Sequence, residues 1–391
     1  MQQYHLSPTL MLGSGCRKQL PEHLKNVSGS RALLVTDRAI MELGIPNEIA
    51  DILAEAGLET VIFDEVSPDP TTEQVAAGLQ KFVDEDCSMI VAVGGGSPID
   101  CAKNIVFAAR EGNFGPDITF KWSRFPLIAI PTTAGTGSEV SQYLVITDSR
   151  NHQKTVLRDS SFIPSIAVCD AELTATLPPS VTVNTGMDAF SHALEAYLAS
   201  TATDFTDALA TKAIGVISEY LPRAYKNGKR DMEAREKMME AQMLAGMAFS
   251  NSGLGLSHAT SHALGSLYDI PHGQANGVML PYILDFNLAA VQKKVTRLLP
   301  ILATGRSGFS TLQTARQVGR IIWDFIRSLD IPASLAEVGV KKEDVPALVK
   351  QAANDPAGDD SPCVASEKDF YHIFHAAYEG KMPFSDTIVG E

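Results

Sequence analysis

Residues 88–100, SMIVAVGGGSPID, join an uninterrupted apolar run to three glycines and a proline. A short apolar run of this kind is typical of a strand buried on both faces of a parallel sheet. Gly94, Gly95 and Gly96 follow that run directly, and Pro98 stands near the first position of a helix, where proline is favoured. The stretch therefore predicts a strand, a tight turn and a helix in direct succession.

The same alternation extends to both sides of this stretch. Further strands are predicted in RALLVTD (31–37), ETVIFDEV (59–66) and FPLIAIPTTAGTGSEVS (125–141), and two last strands in KTVLRDSSFIPSIAVCDAEL (154–173). Helices are predicted from about Asn47 to Ala56 and from Thr72 to Glu85. Alternating strands and helices indicate an α/β domain with a doubly wound parallel sheet.

After Pro179 the composition changes to long segments rich in alanine, leucine and methionine, with apolar residues at helical spacing. A chain of 391 residues is long enough for about two domains. We therefore predict a nucleotide-binding α/β domain over residues 1–179 and an all-helical, metal-binding domain over 180–391. Within the second domain, QAANDPAGDDSPCVAS (351–366) predicts a loop between C-terminal helices.

Composition and charge narrow the class of protein. No apolar run reaches the length of about 18 residues that a membrane-spanning helix needs, and the first residues lack the pattern of a secretory signal. The formal charge of −14 argues against a nucleic-acid partner, which would require a basic surface. Five cysteines without CxxC spacing argue against a disulfide framework and a cysteine zinc site. We expect a cytoplasmic protein that binds neither membrane nor nucleic acid.

Two pairs of possible metal ligands occur at helical spacing. Asp188 and His192 lie four residues apart in TGMDAFSHALEAY, and His258 and His262 repeat this spacing in GLGLSHATSHALGSLYDIPHGQAN. Side chains four residues apart project from one face of a helix, so each pair can share a metal.

A fifth candidate, His272, follows Pro271, which should end the helix and turn the chain. An aspartate with several imidazoles suits Fe, Zn, Co or Ni better than Mg or Ca. The alternative is that each histidine only satisfies local hydrogen bonds. The grouping of the two pairs with the Pro-His-Gly turn favours a metal site.

The glycine run at residues 94–96 is a candidate for binding a diphosphate. Glycines let the backbone approach the phosphates, and the free N–H groups at the start of the next helix can bind their oxygens. Ser97 can add a hydroxyl donor. The run does not match GxGxxG, and the alternative is a plain strand-to-helix turn.

Two other strand ends carry polar residues. Asp37 closes RALLVTD, where a carboxylate can accept hydrogen bonds from the adenosine ribose and favour NAD over NADP; the alternative is a helix N-cap. Thr132, Thr133 and Thr136 follow a later strand and offer hydroxyls to phosphates or to the nicotinamide ribose. A capped turn is the alternative for that loop.

Four motifs together resemble the iron-containing (group III) alcohol dehydrogenases. These are GGGSPID with Lys103, PTTAGTGSEVS, TGMDAFSHALEAY and SHATSHALGSLYDIPHGQANGVMLP, in the family's order and at similar separations. The resemblance covers nearly the whole chain to about Asn287. It implies an N-terminal NAD(P)-binding α/β domain, a C-terminal helical domain and a divalent metal, usually Fe2+ and sometimes Zn2+, an architecture shared with the dehydroquinate synthases.

The resemblance also implies roles for individual residues. The metal ligands would be Asp188, His192, His258 and His272, and His262 is similar to the family's non-ligand histidine near the substrate. The implied cofactor contacts are Gly95, Gly96, Ser97 and Asp100 in the diphosphate loop, Thr132, Thr133 and Thr136 in the second loop, and Asp37 and Lys154 elsewhere.

Two positions depart from the family's pattern. Asp69 stands where many members carry asparagine, at an adenine-side contact. The region from Ser361 to Ser366 replaces the usual Asn-Pro-Arg, away from the metal motifs.

Residue chemistry and resemblance together predict a metal-dependent, NAD(H)-linked alcohol dehydrogenase or aldehyde reductase. The expected substrate is a short-chain alcohol, a diol or a substituted acetaldehyde, with aldehyde reduction favoured and with His262 or a water chain carrying the proton. We also expect a homodimer or a higher homo-oligomer.

Two alternatives belong to other classes. A metal- and NAD-dependent lyase like the dehydroquinate synthases would need several basic residues for a phosphorylated, carboxylated substrate, and the segments around the proposed ligands contain almost none. A non-catalytic protein that binds NAD or metal would bind the ion without turning over any alcohol or aldehyde.

Overall fold

The computed structural model describes residues 3–5, 9–25, 29–111, 126–150, 153–303 and 310–384. The chain divides into two compact units, Met1–Thr176 and Leu177–Glu391. Within the described ranges, all strands belong to the first unit, and the second is helical.

The first unit contains eight strands and five α-helices in its described part. The strands are β1 (Thr9–Leu12), β2 (Arg31–Asp37), β3 (Glu59–Val66), β4 (Met89–Gly94), β5 (Leu127–Pro131), β6 (Tyr143–Asp148), β7 (Gln153–Arg158) and β8 (Ile166–Cys169). The helices are α1 (Leu20–Leu24), α2 (Arg38–Glu42), α3 (Ile45–Glu55), α4 (Thr72–Asp84) and α5 (Gly96–Glu111).

Six of these strands form a parallel sheet in the order β1-β8-β5-β4-β2-β3. The sequence pattern also predicts β7 as a strand of this sheet, but β7 instead pairs antiparallel with β6 in a separate two-stranded sheet. The physical reason is its composition: QKTVLR has too few apolar residues for a strand covered on both faces.

The central strands of the parallel sheet are buried on both sides. Leu33 and Val35 of β2 belong to one apolar cluster, whereas Ala32 and Leu34 belong to the cluster on the opposite face. Because all six strands are parallel, β2, β4 and β5 end at the same edge of the sheet. This edge carries the segments that follow Asp37, Gly94 and Pro131.

The second unit consists of helices. They are α6 (Pro179–Leu198), α7 (Asp204–Asn227), α8 (Met232–Ser252), α9 (Leu256–Tyr268), α10 (His272–Thr296), α11 (Leu299–Leu302), α12 (Thr311–Arg327), α13 (Val345–Ala352) and α14 (Glu367–Glu379). As the sequence predicts, the chain turns before His272: α9 ends at Tyr268, Asp269 adopts a left-handed conformation (φ 53°), and Pro271 precedes α10.

Of the predicted loop 351–366, Gln351 and Ala352 still belong to α13; residues 353–366 connect α13 to α14 and contain only a short 3-10 turn, Pro356–Gly358. In the described part of the chain, no helix has both the length and the apolar content that crossing a membrane requires. All five cysteines are free thiols, and four of them are buried.

Candidate functional site

Three helices of the second unit supply the predicted metal ligands. Asp188 and His192 lie one turn apart on α6, and His258 lies near the start of α9, one turn before His262. His272 is the first residue of α10. Helical periodicity places each pair on one helix face, and the packing of α10 against α6 and α9 brings residues up to 84 positions apart into one cluster.

Three of the four predicted ligands converge closely. Asp188 Oδ1 lies 3.5 Å from His272 Nε2 and 3.9 Å from His258 Nε2. One donor atom from each of these residues lies within 4.8 Å of the other two. An ion that binds nitrogen and oxygen ligands at about 2 Å can reach all three with little movement.

His192 is beside this group but not within it. Its Nε2 lies 3.9 Å from Asp188 Oδ1, and its ring stacks on His258 and on Phe249 with centroid distances of 4.6 and 4.4 Å. The role of His192 as a fourth ligand stays a prediction.

The charge and burial of the cluster fit a divalent cation. Asp188 is 5% exposed and has no Lys or Arg partner among the described residues, so its carboxylate lacks a compensating positive charge. Burial lowers the pKa of His258 well below its usual range, which keeps the imidazole neutral and able to act as a ligand. A buried carboxylate among neutral imidazoles is a donor set for Fe2+ or Zn2+.

Two buried residues that we did not predict support the ligands from behind. Asn276 Nδ2 donates to Asp188 Oδ1 at 3.0 Å, while Asn276 Oδ1 accepts from Ser261 Oγ at 2.8 Å. Glu195 Oε2 lies 2.5 Å from His258 Nδ1. Burial raises the pKa of Glu195 to about 7.

A signal for both residues was present in the sequence. Glu195 lies seven positions after Asp188 on α6, and Asn276 lies four positions after His272 on α10. Each spacing places the supporting residue on the same helix face as a ligand.

His262 has a different partner from the ligands. Its Nδ1 lies 2.9 Å from Asp355 Oδ2, and its ring stacks on His272 with a centroid distance of 5.2 Å. His262 is not one of the three residues whose donor atoms converge. Asp355 lies in the loop between α13 and α14, 93 positions from His262. No sequence pattern indicated that the two residues are in contact.

In the first unit, the predicted diphosphate loop lies between β4 and α5. Gly94 has φ +152°, and a Cβ there would lie 2.5 Å from Pro98 Cγ, so this position requires glycine. Gly96 is the first residue of α5. The turn therefore presents backbone N–H groups at the start of a 16-residue helix, which is a suitable environment for an anion.

The threonine loop after β5 lies against this glycine loop. A Cβ on Gly95 would lie 3.4 Å from Thr133 Oγ1, and a Cβ on Gly96 would lie 3.0 Å from Thr136 Cγ2. The Oγ1 atom of Thr132 is buried and has no hydrogen-bond partner in the described structure. The two predicted cofactor loops are thus neighbours in the first unit, and their contacts with a cofactor stay predictions.

Asp100 is used within the protein. Its carboxylate accepts hydrogen bonds from Ser138 Oγ and, at 3.3 Å, from Val145 N, and it lies 3.9 Å from Lys103 Nζ. Lys103 Nζ in turn donates to the Tyr143 carbonyl oxygen at 2.7 Å. Asp100 therefore ties α5 to the segment after the threonine loop, and its predicted contact with the diphosphate stays a prediction.

The remaining predicted cofactor residues have local partners. Asp37 Oδ1 accepts from Ile40 N at 2.9 Å and caps α2, so the N-cap alternative is present. Ser97 Oγ accepts from Asp69 N at 3.3 Å, and Lys154 Nζ lies 2.8 Å from Asp69 Oδ1. Asp69, the departure from the family's pattern, therefore links two predicted contacts.

Comparison with known proteins identifies the class. The family model described as "Iron-containing alcohol dehydrogenase" matches residues 7–171, and "Fe-containing alcohol dehydrogenase family, C-terminal" matches residues 182–378. The chain belongs to the iron-containing alcohol dehydrogenase family. It is an oxidoreductase of alcohols and aldehydes, and the resemblance seen in the motifs is confirmed.

Curated relatives align over nearly their whole length. The NAD-dependent methanol dehydrogenase of Bacillus methanolicus is 39% identical, with 96% of this chain and 100% of that protein aligned. The 1,3-propanediol dehydrogenase of Citrobacter freundii is 38% identical over 91% of this chain and 94% of its own length. The lactaldehyde reductase of Escherichia coli K12 is 35% identical over 95% and 98%.

Solved structures confirm the predicted fold class. A crystal structure of 1,3-propanediol oxidoreductase superposes with a TM-score of 0.92 at 36% identity, covering 97% of this chain and 100% of that one. The sulfoacetaldehyde reductase of Bifidobacterium kashiwanohense, solved in complex with NAD+, gives 0.84 at 27% identity and covers 96% and 98%.

Proposed function

We propose that this protein is a metal-dependent, NAD(H)-linked dehydrogenase that interconverts small alcohols and aldehydes. Asp188, His192, His258 and His272 would hold the metal, with Fe2+ preferred and Zn2+ as the alternative ion. The observation that carries this proposal is the convergence of one buried, uncompensated carboxylate with two imidazole nitrogens. Such a group is costly without a cation and favourable with one.

The residues of the site divide the work of the reaction. A divalent ion would supply a Lewis acid for the substrate oxygen, and nicotinamide would supply or accept the hydride. Asn276 Nδ2 would hold Asp188 in place through its hydrogen bond to Oδ1. Asp355 accepts from His262 Nδ1, which leaves Nε2 of His262 to gain or lose the proton of the substrate oxygen.

NAD(H) is the proposed cofactor, and Asp37 is the residue that favours it. The N-cap hydrogen bond uses Oδ1 of Asp37, and Oδ2 has no partner among the hydrogen bonds of the described structure. The side chain can therefore cap α2 and accept a ribose hydroxyl, while its charge would repel a 2′-phosphate. The names of the methanol dehydrogenase relative and of the NAD+ complex agree with this choice.

The proposed substrates are short-chain alcohols, diols and substituted acetaldehydes, with aldehyde reduction as the favoured direction. The relatives are named for methanol, 1,3-propanediol, lactaldehyde and sulfoacetaldehyde, all small molecules. We also propose a homodimer or higher homo-oligomer in the cytoplasm, where the five free thiols would remain reduced. Light scattering after size exclusion measures the oligomeric state.

The decisive test of function is NADH oxidation against a panel of two- to four-carbon aldehydes. Protein loaded separately with Fe2+ and Zn2+ is assayed, with Asp188→Ala prepared in the same way as the control. We expect turnover of at least one aldehyde by the loaded protein and none by the control. Protein that binds metal and NADH but turns over no aldehyde and, in reverse, no alcohol would instead be the non-catalytic binding protein.

A further inference from the structure

Glu195 lies at the back of the proposed metal centre, fully inside the helical unit. The residue is 7% exposed, accepts two hydrogen bonds from backbone N–H groups at the start of α9 and lies against the His258 ring. Its Oε1 accepts from Ser257 N at 2.6 Å, and its Oε2 accepts from Gly255 N at 3.1 Å and faces His258 Nδ1 at 2.5 Å. One carboxylate thus contacts both the side chain of His258 and the backbone just before it.

The local backbone is shaped to admit this carboxylate. A Cβ on Gly255 would lie 2.8 Å from Glu195 Oε1, so glycine at this position lets the carboxylate keep its place without a shift. The first N–H groups of a helix have no partner within the helix, and Glu195 satisfies two N–H groups at this end of α9. Both the glycine at position 255 and the free N–H groups at the start of α9 therefore favour this contact.

The same contact determines which nitrogen of His258 carries its hydrogen. Both oxygens of Glu195 already accept backbone N–H groups, and in its ionised form the carboxylate can only accept a further hydrogen bond. Ionised Glu195 therefore selects the tautomer in which Nδ1 of His258 donates and Nε2 keeps its lone pair. That Nε2 lies 3.9 Å from Asp188 Oδ1, on the side where the proposed ligands converge. The other tautomer would place two lone pairs against each other at Nδ1 and block Nε2 with a hydrogen.

We propose that Glu195 is a positioning residue that fixes His258 as an Nε2 ligand, in both tautomer and orientation. The inference rests on the proposed function, because the ligand role of His258 is part of it. Outer partners of metal-binding histidines typically contribute about 10- to 100-fold to metal affinity. We expect Glu195 to contribute within that range.

Glu195→Gln is the informative substitution because it keeps the size of the side chain. The amide has one oxygen, and the nearest backbone donor, Ser257 N–H at 2.6 Å, competes for it most strongly. The NH2 group then faces His258 Nδ1 and favours the tautomer with hydrogen on Nε2. We expect 10- to 100-fold weaker Zn2+ binding, measured on the full-length protein by competition with a chelator.

A second readout separates positioning from general stability. In metal-free protein labelled with 15N-histidine, NMR should show His258 protonated at Nδ1 in the wild type and at Nε2 in Glu195→Gln. The matched control is Ser191→Ala on the same helix, whose hydroxyl bonds only the Met187 carbonyl oxygen among the described hydrogen bonds. The control should keep both the wild-type tautomer and the wild-type Zn2+ affinity.

The outcomes distinguish this inference from the proposed function. Wild-type protein that binds Zn2+, together with a Glu195→Gln variant of equal affinity and unchanged tautomer, would overturn the role of Glu195 and leave the function intact. Weakened Zn2+ binding with an unchanged tautomer and a lowered melting temperature would also overturn it, since a packing defect explains both. Failure of the wild type to bind Zn2+ or Fe2+ would overturn the proposed function and the inference with it.

Discussion

The proposed metal cluster and the proposed cofactor loops differ in what they offer to a ligand: side chains in the cluster and mainly backbone in the loops. In the cluster, Asp188 and His258 are buried side chains on helices, and other buried side chains hold them in place. In the loops, the proposed binding surface is mostly backbone, at Gly95 and Gly96, and the carboxylate of Asp100 is hydrogen-bonded within the protein.

This difference determines how each region should respond to substitution. Removing a side chain from the metal cluster deletes a ligand or leaves a buried polar group without its partner. Removing a polar side chain near the loops changes little unless it faces the cofactor, whereas adding a single Cβ fills space that the cofactor would use. The cluster is therefore sensitive to lost atoms and the loops to added atoms.

The largest effect is expected from the ligands. His258→Ala and Asp188→Ala should each leave little bound metal and lower activity by about a thousandfold or more, because the Lewis-acid contribution of several kcal/mol is lost. NADH binding should persist, since it depends on the first unit. Metal analysis and fluorescence titration with NADH measure the two properties, and wild-type metal content in either variant would contradict the ligand assignment.

His262→Ala should separate catalysis from metal binding within the same cluster. We expect metal content to stay at the wild-type level and kcat to fall by about a hundredfold, because a proton donor and acceptor near the substrate is lost. Asp355→Asn, which changes the partner of His262 Nδ1 and can keep the hydrogen bond from Ala357 N to Oδ1, should have a smaller effect in the same direction. Loss of metal would make His262 a ligand, and an unchanged kcat would make it a packing residue.

Gly95→Ala adds one Cβ atom to the proposed diphosphate loop and tests whether the cofactor binds there. The new Cβ would lie 3.4 Å from Thr133 Oγ1, an ordinary contact, so the fold should be retained. The KM for NADH should rise about tenfold or more, because hydrogen bonds to charged groups contribute about 1.5–3 kcal/mol and the diphosphate would be displaced. Gly94→Ala is the contrasting variant: its φ of +152° and a 2.5 Å approach to Pro98 predict lower stability instead. A wild-type KM for NADH in Gly95→Ala would show that the diphosphate does not bind at this turn.

Regular periodicity explains which parts of the molecule could be predicted from the sequence. The apolar runs RALLVTD and ETVIFDEV match β2 and β3 residue for residue, because both lie in the parallel sheet. The four-residue spacing that predicted Asp188 and His258 as ligands depends on the same regularity in helices. Where the chain lacks such a period, strands were not predicted or were assigned to the wrong sheet: β1 is a four-residue edge strand, and β6 pairs with the polar β7.

The residues missed around the site follow the same rule. Glu195 and Asn276 lie at helical spacing from ligands and could have been found from α6 and α10. Asp355 lies on a loop, 93 positions from His262, so that only the folded structure brings the two together. Contacts between distant segments depend on packing, which no local pattern contains.

The smallest expected effect is a change of cofactor preference on substitution of Asp37. In the structure, the side chain of Asp37 caps the N-terminus of α2. Glycine is a tolerable N-cap residue and costs only a few tenths of a kcal/mol there, so Asp37→Gly removes the carboxylate with little loss of stability.

We expect wild-type protein to prefer NADH, and Asp37→Gly to lower the ratio of kcat/KM for NADH to that for NADPH by about tenfold, since one hydrogen bond and one charge repulsion are worth about 1.4 kcal/mol or more. Asp37→Asn is the matched control, because it keeps the cap and the hydrogen-bond acceptor while removing the charge. An intermediate ratio for Asn would assign part of the preference to charge and part to the hydrogen bond.

Metal content should be the same in all three proteins, because Asp37 contributes nothing to the helical cluster. Equal use of both cofactors by the wild type would mean that Asp37 serves only as the cap of α2.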